Sequence, residues 1–180
     1  MLTVHNTPIN GLHLIEPETT HDGRGLERAG FHPTQYAAFG MTGKFASDRY
    51  IRSLQGTLRG LYILPEDQHM MLTLIRGDVC LAVVDIREKS RQFGTVHMID
   101  INDAQNRQVY IAGGLAYGYC VRSDVVDVHE KYTGFFDAQN IKGVFWKDTS
   151  LNIQWPIKFP LVAESDNRFP ALREIVKECV

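Results

Sequence analysis

Two arginines give the first chemical signal in the chain. Arg24 stands between glycines in Asp22-Gly23-Arg24-Gly25, and Arg59 stands in the apolar string Leu58-Arg59-Gly60-Leu61. A guanidinium entering an apolar interior needs an anionic partner, because burying it alone is costly. That partner is either a structural carboxylate, such as Glu27, or an anionic ligand, such as a pyrophosphate, gripped at two points by the planar fork. Composition alone slightly favours the structural pair. None of the seven histidines stands two residues from another, so no strand presents the H-x-H pair that places two ligands on one face. No metal site is expected. A Cys–His nucleophile pair stays open, although Cys80 lies in an apolar run where an inert core thiol is the better reading. Phosphate-loop, dinucleotide and nucleophile-elbow strings are absent.

The 180 residues suit one domain, residues 1–180, with enough apolar material for a sizeable core. A net charge of -2 excludes the broad basic field of a nucleic-acid binder. No apolar run approaches the roughly 20 residues of a membrane span, and the N-terminus lacks the pattern of a signal peptide. Three widely spaced cysteines, Cys80, Cys120 and Cys179, suit a reducing compartment, so a cytoplasmic protein is expected.

The elements that must position these side chains read as β. Asp78–Ile86 is a β-branched run between turn residues, and Thr95–Ile101 alternates apolar with polar, as a strand with one buried face does. Shorter candidates are Leu58–Ile63, Met70–Ile75, Gln108–Ile111, Tyr117–Val121, Val125–Lys131 and Gly143–Trp146. Many short strands at this spacing predict a sandwich or barrel. Pro170–Glu178 places Leu172, Ile175 and Val176 on one helical face, with Pro170 in the first turn. The fold class is all-β with a short C-terminal helix.

Read in order, these segments resemble the dTDP-4-dehydrorhamnose 3,5-epimerase family of nucleotide-sugar epimerases over nearly the whole chain. The opening strand Gly11–Pro17 with its Asp22–Gly25 turn, the Arg52–Leu61 segment and the central hairpins around Arg76-Gly77 and Phe93-Gly94 all match. So do the Ile111–Tyr119 loop and the paired motif Phe145–Asp148 with Ile153–Pro156. The resemblance implies a cupin-type double-stranded β-helix (a jelly-roll barrel), a homodimer with strand exchange, and neither metal nor cofactor.

That family removes protons beside the ketone of a 4-keto-6-deoxy sugar, which needs a base, positive charge near the enolate, and an acid on the other face. The resemblance puts Tyr62 at the base histidine, Met70 at the enolate-stabilising lysine, Tyr117 at a second histidine and Glu130 at the acid tyrosine. Asp166 keeps the place of the aspartate paired with the base. Ser47, Arg49 and Tyr50 stand at pocket-lining positions. Tyr62, Glu130, Asp166 and Tyr117 are therefore the catalytic candidates. Arg24, Glu27, Arg49 and Arg59 are the candidates for binding a nucleotide diphosphate, and Phe135 the ring that stacks on the base or packs structurally. A tyrosine, with a reference pKa of about 10, is a weak base, and a carboxylate beside it raises its pKa further. Glu130 in an apolar barrel would move towards a useful range. His69 and His129 adjoin replaced positions but point to the opposite strand face. The expected function is an isomerase acting on a nucleotide-linked 4-keto-6-deoxy sugar through an enolate. The alternatives are a catalytically inactive nucleotide-sugar-binding paralogue or partner of an active epimerase, and a barrel using its cavity for an unrelated small molecule.

Overall fold

The computed structural model describes residues 2–177; Glu178 and Cys179 lie outside the described residues. The chain opens with β1 (Thr3–Asn6) and β2 (Leu12–Glu16), then a hairpin of β3 (Thr19–Asp22) and β4 (Gly25–Arg28). A short helix, α1 (Pro33–Ala37), leads into β5 (Ser47–Leu54) and β6 (Thr57–Ile63). Next come β7 (Met70–Arg76), β8 (Asp78–Asp85), β9 (Val96–Asn102), β10 (Gln108–Ile111), β11 (Leu115–Val121) and β12 (Val125–Tyr132). The short strand β13 (Leu161–Val162), α2 (Glu164–Asn167) and α3 (Leu172–Lys177) follow.

One sheet has the order β1-β2-β10-β7-β12-β5 and the other β13-β6-β11-β8-β9. Their pairings are antiparallel except β13 on β6. They face each other as the walls of a cupin-type jelly roll. Leu72, Leu74, Val79, Leu81, Val83, Val109, Val126 and Val128 meet between them and are fully buried. β8 is apolar along its length because both of its faces are covered. Val79, Leu81 and Val83 face the barrel, while Ala82 and Val84 pack outward on Val144, Leu151 and Leu172. β7 is sandwiched likewise: Met71 packs outward with Tyr36 and Met41, and Thr73 accepts a hydrogen bond from Gln108 Nε2 at 3.0 Å.

The chain after β12 leaves the barrel and runs across the outside of the five-stranded sheet. Ile63 N donates to Lys142 O at 2.9 Å and Val144 N to Leu61 O at 3.0 Å. Gly143–Trp146, expected as a strand, forms only an isolated bridge from Gly143 to Tyr62. Phe145 N turns away to Pro170 O, 2.8 Å distant, so the ladder cannot continue. The terminal helix begins at Leu172, two residues later than expected. Leu172 N donates to the buried Asp148 carboxylate at 2.7 Å, and Ala171 O accepts from Glu174 N. Those bonds place Ala171 immediately before the helix and leave Pro170 outside it.

Cys80 and Cys120 stand opposite one another on β8 and β11, both free and buried. Burial pushes both thiols up to about 11, in keeping with inert core positions. No helix among the described residues is long and apolar enough to cross a membrane.

Candidate active site

Between the two sheets, at the end where β6, β7, β11 and β12 meet their loops, lies a cavity of about 460 Å³. Its floor carries three phenols: Tyr62 from β6, Tyr117 from β11 and Tyr132 from β12.

The β6 wall depends on a local break in alternation. Arg59 and Tyr62, three residues apart, lie opposite Tyr119 and Tyr117, only two apart, so β6 holds one extra residue. The extra residue lets Arg59 and Tyr62 share the barrel face, which strict alternation forbids. Gly60 makes this possible. Its φ is +115°, and a Cβ there would lie 2.6 Å from Tyr117 O and 2.7 Å from the Gly118 Cα.

Tyr62 donates its hydroxyl proton to Asp166 Oδ2 at 2.8 Å. The same oxygen accepts Gly60 N at 3.2 Å, and Ser165 Oγ donates to the other oxygen at 3.0 Å. Burial, and then the carboxylate beside it, push the Tyr62 phenol well above its ordinary range. The Tyr62 ring is held edge-on by Tyr117 and Phe169, at centroid distances of 5.8 and 6.2 Å.

The opposite wall is β12. Glu130 and Tyr132 are two residues apart and point to one face, paired with Arg49 and Ser47 of β5. Tyr132 OH lies 2.5 Å from Glu130 Oε2 and 3.0 Å from Tyr117 OH, so a hydrogen-bonded line joins the two sheets. Arg49 Nη1 lies 3.5 Å from Glu130 Oε2, and its guanidinium rests 3.7 Å from the Phe136 ring centroid. Glu130 is 1% exposed. Burial pushes its carboxyl up, against the hydrogen bond from Tyr132 and the charges of Arg49 and Arg59. Ser47 Oγ donates to Gly134 O at 2.7 Å and so pins the loop that carries Phe135 and Phe136.

Of the candidates, Tyr62 and Tyr117 line the cavity; Asp166 stands behind Tyr62, Glu130 behind Tyr132 with Arg49 beside it, and Arg59 lines a neighbouring recess. Met70 is fully buried across from Tyr132, so that position holds no cation. Phe135 is 79% exposed on the cavity rim, where a ring can meet a ligand and is not core. Arg59 lines a second recess of about 360 Å³ with Ser53, Leu161 and Asp166, and donates from Nε to Ser53 Oγ at 2.9 Å. The Asp166 carboxyl therefore borders this recess while its bonded partner Tyr62 borders the main cavity.

Other expectations are corrected. Arg24 does not enter the barrel. It lies 88% exposed on the β3–β4 hairpin and is bonded to Asp22, while Glu27 is also exposed. A tight turn closed by glycines keeps its side chains at the surface. Tyr50 points outward, because Arg49 takes the inward place on β5 and alternation leaves Tyr50 61% exposed. His129 lies outside the barrel, 2.9 Å from Asp48, as its strand position implies, while His69 lies just before β7 and its Nδ1 accepts Gly113 N at 3.1 Å. Tyr132 is the residue that sequence reasoning missed. Its signal was the spacing of two from Glu130 on a strand. No group of three or more His, Cys, Asp or Glu among the described residues could hold a metal ion.

The family profile for dTDP-4-dehydrorhamnose 3,5-epimerase matches residues 6–174. The chain belongs to that family. It is 32% identical to the dTDP-4-dehydrorhamnose 3,5-epimerase of Shigella flexneri, over 92% of this chain and 93% of that one. It is 31% identical to the dTDP-4-dehydrorhamnose 3-epimerase of Streptomyces niveus, over 88% and 78% of the two chains. Among solved structures it superposes on the dTDP-6-deoxy-D-glucose-3,5-epimerase of Legionella pneumophila in complex with dTDP-4-keto-L-rhamnose. The TM-score is 0.94 at 29% identity, covering 100% of this chain and 97% of that one. A member of this family is an enzyme of the epimerase class. Within the family's barrel, this member presents a phenol bonded to a buried carboxylate on each wall of its cavity.

Proposed function

We propose that the protein epimerises a nucleotide-linked 4-keto-6-deoxy sugar at carbon 3, carbon 5 or both, through an enolate, with an altered catalytic set. The observation that carries this reading is the Tyr62–Asp166 hydrogen bond at the floor of the cavity. A buried carboxylate behind a phenol gives the phenol somewhere to send its proton when its oxygen takes one from carbon. Tyr117 bridges the two walls, and Glu130 stands behind the second. Arg49 and Arg59 supply the positive charge that Met70 does not, and Arg59 lines the neighbouring recess, where its guanidinium would grip a diphosphate. Phe135 on the rim offers its ring to the nucleotide base.

Arg24 and Glu27 lie exposed on the β3–β4 hairpin, which pairs with neither sheet of the barrel. A substrate role for them therefore requires a second copy, and we read the protein as a homodimer in which this hairpin reaches its partner's site.

The test is proton NMR in deuterated water with freshly prepared dTDP-4-keto-6-deoxyglucose. Enzyme-dependent loss of the carbon 3 or carbon 5 proton signal is the expected result and identifies the carbon. Ligand broadening without exchange contradicts turnover and leaves a binding protein.

A further inference from the structure

Inverting a carbon beside a ketone needs one group to take the proton and a second to return one from the opposite face. Glu130 stands where the resemblance placed the second group, yet it does not line the cavity and is 1% exposed. Tyr132 does line it, on the sheet opposite Tyr62, with its hydroxyl on the Glu130 carboxyl. Building on the epimerase reading, we propose that Tyr132 is the catalytic group that returns the proton, and that Glu130 is a positioning residue acting through it.

Each wall then carries the same device. On the β6 wall the electron pair of the substrate C–H bond becomes the C=C bond of the enolate, and the carbonyl π pair moves to oxygen. The released proton passes to the Tyr62 oxygen as the phenol's own proton passes to Asp166. On the β12 wall the C=O bond re-forms and the carbon takes the Tyr132 proton. Tyr132 rests as donor to Glu130 Oε2, so as its proton goes to the carbon this hydrogen bond reverses, the Glu130 carboxyl refills Tyr132, and the resulting carboxylate faces Arg49 at 3.5 Å. The turnover leaves one more proton on Asp166 and one fewer on Glu130; exchange with water resets both and brings in solvent deuterium, and nothing is oxidised or reduced. Burial favours the protonated Glu130 that this step starts from. The hydrogen bond to Tyr117 holds the Tyr132 hydroxyl at the floor of the cavity, and Phe136 packs its ring at a centroid distance of 5.4 Å.

The test follows deuterium and configuration together, in deuterated water, for the wild type, Tyr132→Phe and Glu130→Gln. The wild type is expected to incorporate deuterium with inversion. Tyr132→Phe keeps the ring and is expected to lose inversion by about 100-fold or more while still washing deuterium into unchanged substrate from the Tyr62 face. Glu130→Gln is expected to lower kcat for inversion similarly, with KM within about threefold of wild type. A structural role would not separate exchange from inversion. Inversion by Tyr132→Phe within about threefold of wild type overturns the proposal. Should that variant not fold, Glu130→Gln decides, and unchanged kcat there overturns the proposal equally. A wild type that incorporates no deuterium overturns the epimerase reading itself, a distinct result.

Discussion

Tyr62 on β6 and Asp166 on α2 lie 104 residues apart and share a 2.8 Å hydrogen bond at the cavity floor. The bond exists because the chain after β12 crosses the outer face of the five-stranded sheet and returns to the edge of β6. Val144, Leu151 and Leu172 pack there on Leu61, Ala82, Val84 and Ala116. The same packing that buries the outer sheet face thereby delivers the carboxylate to the site.

Leu172→Ala tests that coupling. Leu172 is 6% exposed, so the truncation is expected to destabilise the fold by about 2–4 kcal/mol. Because α3 follows α2 directly, the Asp166 carboxylate should also lose registration, and turnover should fall more than binding. Denaturant unfolding and steady-state kinetics on the one variant check both effects; a stability loss with unchanged kcat would separate the packing from the site.

Arg59 reaches the recess beside Asp166 and donates to the Ser53 hydroxyl. If a diphosphate occupies that recess, Arg59→Ala should weaken dTDP binding by roughly 2–4 kcal/mol, as for a desolvated charge-assisted pair. An unchanged calorimetric titration would remove Arg59 from the binding set.

Asp85 is fully buried, and Arg87 donates to it from Nε at 2.8 Å and Nη2 at 2.7 Å, with Ser90 Oγ at 2.6 Å. Burial raises its carboxyl, but these donors outweigh burial and hold it below the usual carboxylate range. A depressed folded pKa contributes stability above the unfolded value that is lost as pH falls through the folded one. Asp85→Asn should therefore cost about 2–4 kcal/mol at pH 7, and the gap from wild type should narrow below about pH 4. A gap independent of pH would show that the charge is not what matters.

Glu130 works with the opposite sign. Its folded pKa is raised, so its favourable contribution is complete below the ordinary carboxylate value and lost as pH climbs through the raised one. The stability of wild type relative to Glu130→Gln should fall as pH rises from about 4 towards neutrality. Unfolding titrations of both proteins across that range give the comparison, and a difference that grows with pH contradicts a raised carboxyl.

The strands from Leu58 to Lys131 are legible in the sequence because each is bounded by turn residues and carries either an alternating or a doubly buried apolar pattern. Strands β1 to β5 leave weaker local signals. They are short, or, like β5, carry Asp48, Tyr50 and Arg52 on a solvent face. Gly143–Trp146 has a strand's composition but is tied to the sheet by few bonds, which composition does not reveal. In the site, Tyr62 and Asp166 are visible only through the resemblance, since nothing local links residues so far apart. The surface position of Arg24 is not legible, because a glycine-flanked arginine looks the same in a surface hairpin as in a pocket. Tyr132 has no place in the resemblance, which aligns Glu130 instead, although strand alternation puts both on one face.

In the proposed reaction the Tyr62–Asp166 pair takes the substrate proton. The most direct measurement is the rate of deuterium incorporation from solvent into the 4-keto-6-deoxy sugar, compared between wild type and Tyr62→Phe. The substitution keeps the ring between Tyr117 and Phe169 and removes only the hydroxyl bonded to Asp166. Incorporation is expected to slow by about 100-fold or more in the variant, with dTDP binding retained. Incorporation at the wild-type rate would contradict that role for the pair.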